Sequence, residues 1–321
     1  MKYYIGVDLG GTKIAAGIVD ETHRILASEK IPTNLPRPQE LVEEDIARLC
    51  RLVAEKANVP FDDVQWVGIG TPGSVSAEDG LVYFGANFGY FDWTLRKNME
   101  RRLNCRVYIE NDANAAAYGE YMAGALKDTE YSIAVTLGTG IGSGIIIHGK
   151  LFSGFNSSGA ELGHMVIVKD GRQCKCGRLG CYEQYASARA LTLDTADAMR
   201  AHPDNMMWGL VKGDITRVNA KTAFDGMRAG DKLAKEIVDR FENYVACGLT
   251  NIINIFQPEI ICIGGGISRE GETLLAPIRA HVDAEDYART NSRRTRIVCA
   301  SLMNDAGIVG AALLGMQFIN D

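Results

Sequence analysis

Apolar positions along the chain switch between the two-residue period of strands and the 3.6-residue period of helices. Residues 3–8 and 13–19 are short apolar, β-prone runs joined by Leu9-Gly10-Gly11-Thr12, which predicts a hairpin with a glycine-rich turn. A third strand is expected over Arg24–Ile31, before Pro32, Pro36 and Pro38 break the chain. Val42, Ile46, Leu49, Cys50 and Val53 then recur at helical spacing. Val64–Gly70 reads as a buried strand ending in Thr71-Pro72-Gly73. Arg106–Glu110 reads as another, with an alanine-rich helix starting near Asp112.

The pattern then repeats. Ile5-Gly-Val-Asp-Leu-Gly-Gly11 aligns with Ile133-Ala-Val-Thr-Leu-Gly-Thr139, each a strand, a glycine-rich turn and a second strand. Two similar halves with one such turn each imply a two-domain α/β fold with a cleft between the halves. The expected domains are 1–117 (joined by 304–321) and 118–303. The second half continues with a loop-rich insert over 152–182 and a helix over 187–201. A long helix follows from Lys232 to Phe256, with Ala234, Ile237, Val238, Phe241, Val245, Leu249 and Ile252 on its inner stripe. Glu259–Ile263 and Arg296–Ala300 read as strands, the first ending at Gly264-Gly265-Gly266, and a small-residue helix over Ala306–Phe318 closes the chain.

Composition changes this picture little. The 321 residues are 46% apolar and 23% charged, as in an ordinary globular protein. A formal charge of −6 argues against a broad nucleic-acid or membrane-binding face. The dense basic run Arg293, Arg294 and Arg296 reads as a solvated strand entrance. Met1-Lys-Tyr-Tyr-Ile5 enters a strand with no cationic or apolar leader segment, and no apolar run approaches a membrane span, so a cytoplasmic location is expected. Of eight cysteines, Cys50, Cys105, Cys247, Cys262 and Cys299 sit singly in apolar surroundings and read as buried core thiols.

The other three cysteines carry the sharpest signal. Cys174-Lys-Cys176-Gly-Arg-Leu-Gly-Cys181 places three thiols within eight residues, and His164 lies ten residues upstream. Gly177 and Gly180 allow a loop tight enough for the sulfurs to converge. Three sulfurs and one nitrogen fill a tetrahedral zinc shell, so the zinc would be structural and would not activate water. The bland alternative is three unrelated loop cysteines.

Two glycine turns suit phosphate. Asp8-Leu-Gly10-Gly11-Thr12-Lys13 offers backbone N–H groups and a hydroxyl, and Asp8 could hold Mg²⁺ directly or through water. Thr136-Leu-Gly138-Thr139-Gly140-Ile-Gly-Ser-Gly144 offers a second cradle, and Gly264-Gly265-Gly266 a third turn. Neither of the first two matches the Walker or dinucleotide-binding pattern. A tight hairpin alone would also explain either one. Glu110-Asn111-Asp112 at a strand end is either a plain helix cap or a base for a substrate hydroxyl. A helix N-terminus favours the ionised carboxylate and weakens it as a base. A loose phosphoryl-transfer transition state asks more for orientation than for basicity. Glu161 and Glu183 flank the cysteine loop, either as surface glutamates or as rigid carboxylates for neighbouring sugar hydroxyls.

Together these motifs resemble the ROK family (repressors, uncharacterised reading frames and sugar kinases) over nearly the whole chain. The most specific part is Glu161-x-x-His164 followed by Cys174-x-Cys176-Gly-x-x-Gly-Cys181-x-Glu183. Asp8-x-Gly-Gly-Thr-Lys13 is shared with the wider actin and hexokinase fold. The resemblance implies two ribonuclease-H-like domains with ATP and a sugar in the cleft, and Asp112 as catalytic base. It implies sugar contacts from Asn87, Asn111, Asp112, Glu161, His164 and Glu183. Nucleotide contacts are implied for Gly10, Gly11, Thr12, Lys13, Thr139, Gly140, Gly264, Gly265 and Gly266, beside Asp8 and Gly138 of the same turns. His164 would ligate zinc through one ring nitrogen and meet the sugar through the other. A homodimer is the family expectation.

One stretch departs from the family pattern. Phe88-Gly-Tyr-Phe-Asp92 separates Asn87 from Trp93 and makes that loop longer and more aromatic than in glucokinase-like members. Ser-Gly-Ala-Glu161, in place of a His-Pro-Glu sequence, favours glucose or an N-acetylated hexosamine over fructose. The expected activity is transfer of the ATP γ-phosphate to the 6-hydroxyl of glucose. The alternatives are an N-acetylmannosamine or N-acetylglucosamine kinase, a broad hexokinase, or a sugar-responsive regulator. Only seven residues precede Asp8, so the DNA-binding domain of such regulators is not expected. An actin-like ATPase that binds protein partners would leave the cysteine loop unexplained.

Overall fold

The computed structural model describes residues 1–85 and 88–318. The expected N-terminal hairpin is β1 (Tyr3–Leu9) with β2 (Lys13–Asp20), and β3 (Ile25–Pro32) extends it antiparallel. Strand β3 alternates half-buried and exposed positions because it is the sheet edge. Helix α1 (Gln39–Lys56) buries the expected stripe and, unexpectedly, Glu43. Strand β4 (Val64–Thr71) follows. The loop expected after it folds instead into a small antiparallel sheet of β5 (Ser74–Ser76), β6 (Leu81–Gly85) and β7 (Tyr90–Trp93). Helix α2 (Leu95–Leu103), strand β8 (Val107–Asn111) and helix α3 (Asp112–Ala123) complete the first half.

The second half opens with β9 (Tyr131–Leu137), β10 (Ile141–Ile147) and β11 (Lys150–Phe152). After the loop-rich insert come α4 (Glu183–Ala186), α5 (Ala188–Ala201), α6 (Met207–Leu210) and α7 (Ala220–Arg228). The long helix α8 (Lys232–Phe256) matches its expected span. The Asp231 side chain caps its start, and Gln257 turns left-handed ahead of Pro258 at its end. Strand β12 (Ile260–Gly264), helix α9 (Glu272–Glu285), strand β13 (Arg296–Cys299) and helix α10 (Ala306–Leu313) finish the chain. Leu314–Phe318 tightens into a 3₁₀ turn where a continued α-helix was expected.

The two main sheets repeat one topology. Their strand orders are β3-β2-β1-β4-β8 and β11-β10-β9-β12-β13, so the sequence repeat is a repeat of fold. The chain divides into two compact units. One holds Met1–Ala134, Gly144–Ala160 and the chain from Ala300 onward. The other holds Val135–Ser143 and Glu161–Cys299. The expectation put the division at 117/118 and the return at 304.

Within the first unit, α10 lies on the strands that carry its chemistry. A Cβ on Gly6 of β1 would stand 1.8 Å from the Ile308 carbonyl oxygen, and one on Gly68 of β4 1.7 Å from that of Ala311. Gly310 would meet the Ala115 carbonyl of α3 at 1.7 Å. The small-residue composition of α10 is therefore a condition of backbone-to-backbone contact.

Two expectations about side chains need correction, and a third side chain finds its place. Cys50 and Cys262 are buried, but Cys105, between α2 and β8, Cys247, within α8, and Cys299, at the end of β13, are only half-buried. Arg293 and Arg296 are exposed as expected. Arg294 is instead held inward by Asp283 (3.0 Å) and the buried Asp286 (3.1 Å). Trp93 is 1% exposed, and its indole N–H donates to Glu43 Oε1 at 2.8 Å, so its place is in the core.

Candidate active site

In the first sheet, Asp8 pairs with Gly70 and Gly70 pairs with Glu110, across three parallel strands. At about 4.8 Å per strand, the ends of β1 and β8 stand roughly 10 Å apart with β4 between them. Both acidic motifs thus lie at carboxyl ends of parallel strands, where α/β sheets bind ligands.

The turn after β1 is closed by Gly10 N–H donating to the Lys13 carbonyl (2.9 Å). Thr33, fully buried and not singled out in the sequence, braces it. Its hydroxyl donates to the Gly10 carbonyl (2.6 Å), and its N–H donates to the Thr12 carbonyl (3.0 Å). Lys13 Nζ stands 4.0 Å from Asp8 Oδ2. Burial pushes the Asp8 carboxyl up, and the Lys13 charge opposes the shift. A desolvated carboxylate beside a glycine turn fits a hard cation such as Mg²⁺.

At the β8–α3 junction Asn111, not Asp112, is the helix cap. Its Oδ1 accepts from Ala113 N–H (2.9 Å) and Asn114 N–H (3.2 Å), and its Nδ2 donates to the Gly73 carbonyl (3.1 Å). The cap reading of this motif thus falls on Asn111. Asp112 opens the first turn, half-buried, with Oδ1 accepting from Ala113 N–H at 2.9 Å. Beneath it the buried Glu110 accepts from Asn111 N–H (2.9 Å) and Asn114 Nδ2 (3.0 Å). Burial raises its carboxyl against those two hydrogen bonds. Asn87 lies outside the described residues.

The second unit gathers the remaining motifs. His164 Nδ1, Cys174 Sγ, Cys176 Sγ and Cys181 Sγ all lie within 4.8 Å of one another. Cys174 Sγ to His164 Nδ1 is 3.7 Å, and Cys176 Sγ to Cys181 Sγ is 3.6 Å. A tetrahedron with zinc–sulfur bonds of about 2.3 Å and a zinc–nitrogen bond of about 2.0 Å has edges of about 3.5–3.8 Å, so the donor set fits that ion. Gly180 makes the loop possible. Its φ is +80°, and a Cβ there would stand 1.7 Å from the Val168 carbonyl oxygen. Burial pushes the Cys174 thiol up to about 12, and the Arg178 backbone N–H pulls Cys176 down.

Glu161, His164 and Glu183 act on one another electrostatically. Desolvation raises the Glu161 carboxyl although the residue is exposed, His164 opposes the shift, and the Glu183 charge adds to it. The short turn Leu162–His164 is docked on β10 by Leu162 N–H donating to Ser143 Oγ (3.1 Å). Two glycine turns also meet here. A Cβ on Gly265 would stand 2.3 Å from the Leu137 carbonyl oxygen, whereas Gly138 and Gly266 face open space. Beside them a cavity of about 200 Å³ is lined by Thr139, Glu183, Ser187, Arg189, Asp194 and Asp197, among others. Ser187 and Arg189 carry no glycine or cysteine signal and were not legible as site residues.

Known proteins are similar to this chain over nearly its whole length. The model of the ROK family matches residues 4–317. The chain is 40% identical over 312 residues to a glucokinase of Thermotoga maritima, covering 96% of this chain and 95% of that one. It is 39% identical to a glucokinase of Streptomyces coelicolor, covering 99% and 98%. A ROK family glucokinase from Streptomyces griseus, solved with glucose and AMPPNP, superposes with a TM-score of 0.84 at 38% identity, covering 98% of this chain and 99% of that one. The fold is thus the two-domain α/β architecture expected from the repeat, and the chain belongs to the ROK family.

Proposed function

We propose that this protein is a glucokinase, transferring the γ-phosphate of ATP to the 6-hydroxyl of glucose. The observation that carries the reading is the register of the first sheet, which sets the Asp8 turn and Asp112 at strand ends one strand apart within one compact unit. Glucose is preferred over an N-acetylated hexosamine because the glucokinases are 33–40% identical, the most similar of them well above the 32–33% of the N-acetyl-D-glucosamine kinases.

In this reading the N–H groups of Gly10, Gly11 and Thr12, with the Lys13 ammonium, receive phosphate oxygens, and Gly138, Thr139 and Gly264–Gly266 receive the rest of the nucleotide. Mg²⁺ bound with ATP supplies charge neutralisation at the terminal phosphates, and Asp8 is the residue that would hold it. Asp112 accepts the hydrogen bond of the acceptor hydroxyl and aims its oxygen in line with the phosphorus. Little proton removal is needed early in a loose transition state, so a carboxylate stabilised at a helix N-terminus suffices. Glu161, Glu183 and His164 Nε2 hold neighbouring sugar hydroxyls.

His164 Nδ1, Cys174, Cys176 and Cys181 would hold one structural zinc, which ties the loop bearing Glu183 to the turn bearing Glu161. A homodimer and a cytoplasmic location belong to the same reading. They rest on the family resemblance and on ATP as donor, and sedimentation and cell fractionation check them. No described helix is long and apolar enough to cross a membrane. The decisive test is a coupled ADP-release assay across a panel of hexoses. Glucose is expected to give the highest kcat/KM, preference for an N-acetylated hexosamine would select the other kinase, and no turnover with any sugar would overturn the reading.

A further inference from the structure

Two glycines of one turn meet different surroundings. Gly138 has open space where a side chain would go, as a phosphate-binding backbone requires. Gly140 does not. A Cβ built on it would stand 2.4 Å from Glu183 Oε2 and 3.5 Å from Glu183 Cδ, with nothing else within 4 Å. Glu183 is held there from its other oxygen, Oε1, which accepts from Gln184 Nε2 (3.1 Å) and lies 3.2 Å from Cys174 Sγ. The carboxylate therefore bridges the cysteine loop and the second glycine turn. The backbone of Gly140 is not in the left-handed region, so alanine is conformationally allowed at this position. Among the described residues, the only obstacle to a side chain is the carboxylate itself.

We infer that Gly140 is a positioning residue for Glu183: its bare Cα makes the space in which the carboxylate is aimed at the acceptor sugar. The second glycine turn would then serve both substrates, Gly138 the nucleotide and Gly140 the sugar, which takes Gly140 out of the nucleotide contacts that the family resemblance implies because its Cα faces the Glu183 carboxylate. This rests on the kinase reading, which makes Glu183 a sugar contact. Because a carboxylate at the end of a flexible side chain yields more readily than a backbone, a methyl group at Gly140 displaces Glu183 and leaves the fold in place.

The test is Gly140→Ala, Glu183→Ala and the double variant, compared with wild type for thermal stability, for the KM of ATP and of glucose, and by crystallography. Gly140→Ala is expected to keep its melting temperature and its ATP KM. Its glucose KM should rise about tenfold or more, the scale of losing a hydrogen bond to a charged acceptor. Adding it to Glu183→Ala should change the glucose KM no further. A raised ATP KM with glucose KM unchanged, or an undiminished effect in the Glu183→Ala background, would overturn the inference. Failure of the wild-type protein to phosphorylate any hexose would remove the kinase reading. The crystal structure of Gly140→Ala then decides the positioning alone: a displaced Glu183 carboxylate supports it, and a carboxylate in place over a shifted 138–140 backbone refutes it.

Discussion

Asp8 and Glu110 stand in one row of the first sheet, joined through Gly70 of the strand between them. Asp112, two residues beyond Glu110, is thereby tied to the Asp8 turn by strand register rather than by loop geometry. Register is strongly specified wherever one face of a sheet is buried, because a one-residue slip turns every side chain to the other face. Helix α10 locks the same strands from behind, down to Gly307, whose Cβ would stand 3.1 Å from Asp8 Cγ.

Asp112→Asn keeps the shape of the first turn of α3 and removes the carboxylate. Turnover should fall by about 10²–10⁴-fold, the usual contribution of a positioned acid–base group. Calorimetry should still detect ATP and glucose binding. Turnover at the wild-type rate would remove Asp112 from the reaction.

Elemental analysis should find about one zinc per chain, as a single four-ligand site requires. Cys181→Ser, or removal of the metal by a strong chelator, should lower the melting temperature by roughly 5 °C or more. Glucose affinity should weaken more than ATP affinity, because the loop that carries Glu183 loses its anchor. A zinc-free protein with full activity contradicts this site.

Glu43 is 1% exposed and satisfies three donors: Trp93 Nε1 (2.8 Å), Asn98 Nδ2 (2.7 Å) and Arg102 Nε (3.0 Å). It ties α1 to β7 and α2. Glu43→Ala should destabilise the protein by about 1–3 kcal/mol, because the buried Trp93 N–H and the half-buried Asn98 and Arg102 donors lose the carboxylate they share. Denaturant titration measures this. A loss below about 1 kcal/mol would mean that water replaces the carboxylate freely.

Glu242, 2% exposed inside α8, has no hydrogen-bond partner for Oε1 among the described residues, and burial pushes its carboxyl up to about 8. Between the unfolded value near 4.5 and about 8, the folded state holds a proton that the unfolded state releases. Rising pH through that window therefore favours unfolding. Glu242→Gln removes the penalty. Its melting temperature should match wild type near pH 4.5 and exceed it by about 3–6 °C at pH 8. A difference independent of pH would show that the carboxyl titrates normally.

The sequence made some of this site legible and hid the rest for physical reasons. Cysteine spacing exposed the metal loop because three thiols close in sequence have few other uses, and glycine turns are conspicuous wherever a backbone must stay bare. Thr33, Ser187 and Arg189 were not legible, because their roles come from distant chain segments folding against them. The same holds for the sheet of β5, β6 and β7. Its strands are only three to five residues long, too short for a clear alternation, and the aromatic stretch before Trp93 read as a long loop.

By itself the sequence determined the repeated strand-turn-strand plan, the long helix α8 with both of its ends, and the clustering of His164, Cys174, Cys176 and Cys181. Each is encoded locally, in periodicity, capping residues or spacing. Only the tertiary structure decided that Asn111 and not Asp112 caps α3, that Trp93 belongs to the core with Glu43, and that Gly140 lies under Glu183. Those outcomes depend on which distant groups compete for the same space and the same hydrogen bonds, and no local pattern records that competition.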